Sequence, residues 1–143
     1  MPLLVYITGK LGAGKSSAAE TWGRSNGATT VKIDRILEVG GRKYDPKAKD
    51  PWNWGFWKIL HEGQQQERYL EFALNSEHKD LKGHPGDLVV EGSILCKDWF
   101  YDAFEKVLLE WIAPIKRDRH YFYLIRRMTS SYEMFWNARV RTN

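Results

Sequence analysis

The sequence predicts an α/β protein built on a parallel sheet, and three observations carry that reading. A short apolar run, Leu3-Leu4-Val5-Tyr6-Ile7, leads through a glycine-rich stretch into a helix-compatible segment. Further apolar runs recur down the chain, and they are continuous rather than alternating, as strands buried on both faces are. Segments with helical periodicity lie between them, the order of a βαβ protein.

The first strand is expected at Leu3–Thr8, because the run is β-branched and aromatic and too short for a helix. Helix follows from Lys15 to about Ser25 and stops at Asn26-Gly27. The second strand is Thr29–Ile33. Glu38–Asn53 is rich in Gly, Pro and Lys and reads as loop. A helix over Trp57–Ser76 carries Ile59, Leu60, Tyr69, Leu70, Ala73 and Leu74, interrupted by Gly63 and Gln64-Gln65-Gln66. The third strand, Asp87–Glu91, is entered from Pro85-Gly86. Lys97–Ile112 is a second long helix, with Trp99, Phe100, Ala103, Phe104, Val107, Leu108, Trp111 and Ile112 at helical spacing, ending before Pro114. His120–Ile125 is the fourth strand, and Met128–Asn143 is expected to begin as helix.

At 143 residues the chain is expected to form a single domain over 1–143. Hydrophobic content of 43% and charged content of 28% are those of an ordinary globular protein. The net charge of +4 suits anionic ligands, nucleotides and nucleic acid alike. The single cysteine, Cys96, excludes an intrachain disulfide and a cysteine-based zinc site, and it points to a reducing compartment. It reads as a small buried hydrophobe. The N-terminal apolar run is too short for a signal core or a membrane span, so a cytoplasmic protein is expected, with no membrane partner. The four histidines show no metal-ligand spacing.

The chemistry concentrates in Gly9-Lys10-Leu11-Gly12-Ala13-Gly14-Lys15-Ser16, the G-x-x-x-x-G-K-S phosphate-binding loop or P-loop. Strand before and helix after are the setting the motif requires. Glycines let successive N–H groups point at a phosphate chain, and the helix N-terminus adds partial positive charge. Gly9, Gly12, Ala13, Gly14, Lys15, Ser16 and Ser17 form the expected nucleotide-binding set. Lys15 is placed to reach the β- and γ-phosphates, and the Ser16 hydroxyl to ligate Mg²⁺. Lys10 reads as exposed.

With this loop the chain resembles the P-loop small-molecule kinases, the nucleoside and nucleotide kinases of the adenylate-kinase-like group. The glycine pattern of the loop, Asp34 closing the second strand, Glu91 in Val89-Val90-Glu91-Gly92 closing the third, and arginines after the fourth carry the resemblance. It implies a three-layer P-loop NTPase fold with a parallel sheet in order 2-3-1-4. It also implies an acceptor-binding helical insert over about 38–83 and an arginine-bearing lid-like segment over about 126–143. Family members have a fifth strand after the lid; here that strand is expected to be absent, or the chain truncated. ATP and Mg²⁺ are the implied cofactors.

Asp34 is expected to bind the acceptor hydroxyl, as base or as ligand, or else to cap the helix that follows. Glu91 is expected to hold Mg²⁺ through water or to contact the substrate, though aspartate is more usual there. Arg126, Arg127, Arg139 and Arg141 are candidates to neutralise the transferring phosphoryl group, a planar guanidinium matching its equatorial oxygens. Trp52, Trp54, Phe56 and Trp57 would stack on a base or pack the insert; Arg68 and Gln64–Gln66 would hydrogen-bond an acceptor.

The leading expectation is an ATP-dependent kinase acting on a small molecule, first a nucleoside or nucleotide. The alternatives are a polynucleotide 5′-kinase or nucleic-acid-associated NTPase, and a nucleotide-binding module without catalysis.

Overall fold

The computed structural model describes residues 1–10, 14–49, 66–126 and 134–139. Five strands form one sheet: β1 (Leu3–Gly9), β2 (Thr29–Lys32), β3 (Leu88–Glu91), β4 (Asp118–Arg126) and β5 (Met134–Arg139). Their spatial order is β2-β3-β1-β4-β5. The first four are mutually parallel, in the expected order 2-3-1-4. The four described α-helices are α1 (Lys15–Asn26), α2 (Ile33–Tyr44), α3 (Gln66–Glu77) and α4 (Asp98–Trp111).

Two compact units divide the chain: 1–33, 85–100 and 115–143 in the first, 34–84 and 101–114 in the second. The sheet and α1 make the first. Its strands are continuous apolar runs because both faces are covered: Leu4, Tyr6, Leu88, Val89 and Val90 have no measurable exposure. Val5, Ile7, Ala19 and Val89 form a core cluster, with Leu3, Trp22 and Phe122 packed around it. The second unit holds helical residues whose apolar stripe is buried: Ile36, Leu37, Leu70, Ala73, Leu74, Phe104, Val107 and Leu108. Each of the larger side chains removed from water, Ala73 aside, stabilises by about 1.5–3 kcal/mol before entropy is counted.

Three expectations are corrected. Residues 38–44, read as loop, belong to α2. Gly40 and Gly41 looked like helix breakers, each costing about 1 kcal/mol against Ala. Both are buried, continuing the stripe of Ile33, Ile36 and Leu37, so close packing outweighs their low propensity. Secondly, a fifth strand is present. The stretch after β4, expected to begin as helix, holds this strand: residues 134–139 pair antiparallel with β4 from Arg126↔Met134 to Tyr121↔Arg139. An antiparallel partner needs only a short connection, where a parallel one needs a crossover. Thirdly, Cys96 is exposed, not buried. It ends a 3₁₀ turn, Ser93–Cys96, in which the preceding Leu95 takes the inward position. The part of the expected helix at 57–65 lies outside the described residues, as do Trp52, Trp54, Phe56, Trp57, Gln64 and Gln65.

Candidate functional site

β1 carries the chain to Gly9, opposite Leu124 of β4. A Cβ on Gly9 would lie 2.6 Å from the Leu124 carbonyl oxygen, so a side chain there collides with backbone. Gly14 adopts the left-handed conformation (φ 86°, ψ 23°) immediately before α1, where an L-residue is strained. These two glycines are therefore needed sterically, at the last residue of β1 and the residue that opens α1. Gly12, Ala13 and Leu11 lie outside the described residues.

The helix begins at Lys15, with the Ala18 N–H donating to the Gly14 carbonyl at 2.9 Å. The N–H groups of a first turn have no intrahelical partner. Here the N-cap offers no side-chain hydrogen bond, and no acidic residue stands in the first turn. A helix start carries partial positive charge, which suits an anion.

Lys15 is 7% exposed, and its Nζ donates to the Lys10 carbonyl at 2.9 Å. The hydrogen bond directs the lysine head group to the backbone just after β1. Lys10 is itself exposed, as expected. Ser16 Oγ donates to Glu91 Oε1 at 3.0 Å. Ser16 is exposed, while Glu91 is 2% exposed at the carboxyl end of β3. Since a hydroxyl has one proton, giving it to the carboxylate leaves the serine lone pairs for a cation. A hydroxyl and a carboxylate are hard oxygen donors. They fit Mg²⁺, which takes one or two protein ligands and completes its shell with phosphate and water. Ser17 is exposed. Among the described residues no group of three His, Cys, Asp or Glu side chains gathers as a metal site.

The register brings Glu91 to the loop. Ile7 pairs with Glu91 across β1 and β3, so the carboxylate stands two residues before Gly9 on the neighbouring parallel strand. This is the carboxyl end of the sheet, where open α/β sheets bind ligands.

Asp34 is not the closing residue of a strand. β2 ends at Lys32, and Asp34 is the acidic residue in the first turn of α2, half-buried. A helix start favours a carboxylate electrostatically, and apolar Ile33 is drawn into the helix stripe rather than the strand. Asp34 belongs to the second compact unit, and Glu91 and Lys15 to the first.

The arginines separate along the hairpin. Arg126 ends β4, two residues beyond the Leu124 that faces Gly9. Arg139 pairs with Tyr121, which is level with Tyr6. Its backbone thus stands about 10 Å back along the sheet from Gly9. The resemblance had implied one lid-like segment carrying both. Arg127 and Arg141 lie outside the described residues. Arg68 is an exposed residue of α3.

The structure adds residues that no motif marks. Thr8 Oγ1 donates to the Gly92 carbonyl at 2.8 Å, with the Ser93 carbonyl 3.2 Å away. Tyr121 Oη donates to the Leu95 carbonyl at 2.9 Å. A lone Thr or Tyr inside a buried strand carries no sequence signal for such a role. No family model matches the chain, and no characterised relative matches it in sequence.

Proposed function

We propose that the protein is an ATP-dependent phosphotransferase acting on a small-molecule acceptor. The observation that carries the reading is the Ser16–Glu91 pair. A hydroxyl at a helix start bonds a buried carboxylate at the end of β3, and the residue before that serine is a buried lysine.

The residues divide the work by charge. The N-terminus of α1 and the Lys15 ammonium receive the phosphate oxygens. To reach them, Lys15 exchanges the Lys10 carbonyl for a phosphate, a rotation of one flexible side chain. Ser16 and Glu91 would hold Mg²⁺, which when bound neutralises phosphate charge. Of the two candidate arginines among the described residues, Arg126 at the carboxyl end of the sheet is better placed by register than Arg139 to add charge as the phosphoryl group transfers. For the acceptor hydroxyl, Asp34 is the candidate ligand or base. A nucleoside or nucleotide acceptor is favoured by the resemblance to the small-molecule kinases.

An acceptor screen tests this. ADP release from Mg·ATP is followed across nucleosides, nucleotides and sugars, and one class should raise it well above the basal rate. ATP binding with no stimulation by any acceptor would leave a nucleotide-binding module without transfer. Tight oligonucleotide binding that weakens steeply with salt would favour the nucleic-acid reading instead.

A further inference from the structure

We infer that Thr8 is a positioning residue for the cation ligand Glu91, an inference that rests on the nucleotide reading proposed above. The β1–β3 ladder ends at Ile7↔Glu91, followed by one more backbone bond, from the Gly92 N–H to the Ile7 carbonyl at 3.0 Å. Beyond it β3 leaves the sheet and turns into the 3₁₀ segment Ser93–Cys96. At that departure a side chain takes over from the ladder. Thr8 is fully buried, and its one hydroxyl proton is shared by the carbonyls of Gly92 and Ser93.

Two further contacts close the clamp. Tyr121 Oη holds the Leu95 carbonyl in the same turn. On the other side, Gly92 packs so closely that a Cβ there would lie 2.8 Å from Ile33 Cβ. The backbone after Glu91 is thus held from β1, from β4 and from Ile33. Glu91 reaches Ser16 through a side chain one methylene longer than an aspartate, with more rotatable bonds to fix. Holding its backbone limits where that carboxylate points. Thr8 touches neither phosphate nor cation in this scheme; it acts through Glu91.

The test is the ratio of affinities for a fluorescent ATP derivative with and without Mg²⁺, measured by titration on the intact chain. In the wild type Mg²⁺ should tighten binding. Thr8→Val keeps the shape and removes the donor, and it should cut that Mg²⁺ enhancement by about five- to tenfold, the equilibrium worth of one lost hydrogen bond. Thr8→Ser restores the proton and should keep the enhancement. Should Thr8→Val fail to fold, Tyr121→Phe is read by the same ratio and should lower it in the same direction. An unchanged ratio in the folded variant overturns the positioning role while leaving the nucleotide site standing. So does an equal weakening with and without Mg²⁺, since that is what general loosening of the fold would give. No binding by the wild type under either condition overturns the nucleotide reading, and the role of Thr8 with it.

Discussion

Lys15 joins burial to charge in one side chain: it is 7% exposed, and its ammonium donates one hydrogen bond to the Lys10 carbonyl. Lys15→Ala removes the charge proposed to meet the phosphates. Phosphoryl transfer should fall by about a hundredfold or more, the usual cost of deleting one group that stabilises a transition state. Steady-state ADP release checks it, and unchanged activity would remove Lys15 from the site. Glu20 shows the opposite case, a charge with little at stake. Its hydrogen bond to Lys32, and then the Lys32 charge, hold the Glu20 carboxyl below its ordinary value of 4.5. A depressed folded value means the pair stabilises above the unfolded carboxyl's range. That contribution is lost as pH falls through the lower folded value. The pair is solvent-exposed, so Glu20→Gln should leave the thermal midpoint at neutral pH nearly unchanged. An NMR titration should still place the Glu20 carboxyl below 4.5; a titration at or above that value would deny the pairing.

At the scale of elements, the approach of α1 to the sheet is set by Gly23. A Cβ there would lie 2.6 Å from Thr30 Oγ1, 3.4 Å from the Ala28 carbonyl oxygen and 3.6 Å from Val89 Cγ1. Helix propensity alone would make Gly23→Ala stabilising. The contact reverses the sign, and the variant should lose about 1–3 kcal/mol, the range for overpacked sites. Thr30→Ala removes the colliding oxygen, so the double variant should recover most of the loss. Denaturant unfolding of the four proteins forms the cycle, and additive losses would show that the two positions are not coupled. The same logic explains α2. Its glycines and charged residues look like loop, yet Ile33, Ile36, Leu37, Gly40 and Gly41 form one buried stripe. Glu38 and Arg42 pair one turn apart at 3.0 Å on the exposed side.

For the whole molecule, the proposed phosphotransfer requires water to be kept from the phosphoryl group, so bound acceptor should protect the segment that receives it. With Mg·ATP plus the right acceptor, amide exchange over about 38–83 should slow relative to Mg·ATP alone. Exchange that is identical with every acceptor would remove that segment from the acceptor site. Arg126→Ala and Arg139→Ala separate the arginines by their register. The first should slow transfer several-fold or more, while the second should leave it within about twofold, because charge acts over short distances in a screened site. Equal losses from both would show that register does not distinguish them.

Much of the fold was legible without coordinates. Continuous apolar runs mark strands covered on both faces, and the strong stripe from Phe100 to Ile112 marks a helix with a buried side. The loop motif announced Gly9, Gly14, Lys15 and Ser16 because phosphate chemistry demands those residue types at that spacing. The strand at 134–139 was not legible, since its partner is chosen by hydrogen bonding across the hairpin rather than by its own pattern. Nor was the start of α2 at Ile33, where strand and helix patterns overlap by one apolar residue. Composition and spacing alone determined that a glycine loop joins a buried strand to a helix, for local sterics and local charge are written in consecutive residues. Only the tertiary structure decided that Glu91 reaches Ser16 and that Thr8 holds the turn behind it. Those contacts join residues 75 and 84 positions apart, and the register of a parallel ladder, not sequence distance, brings them together.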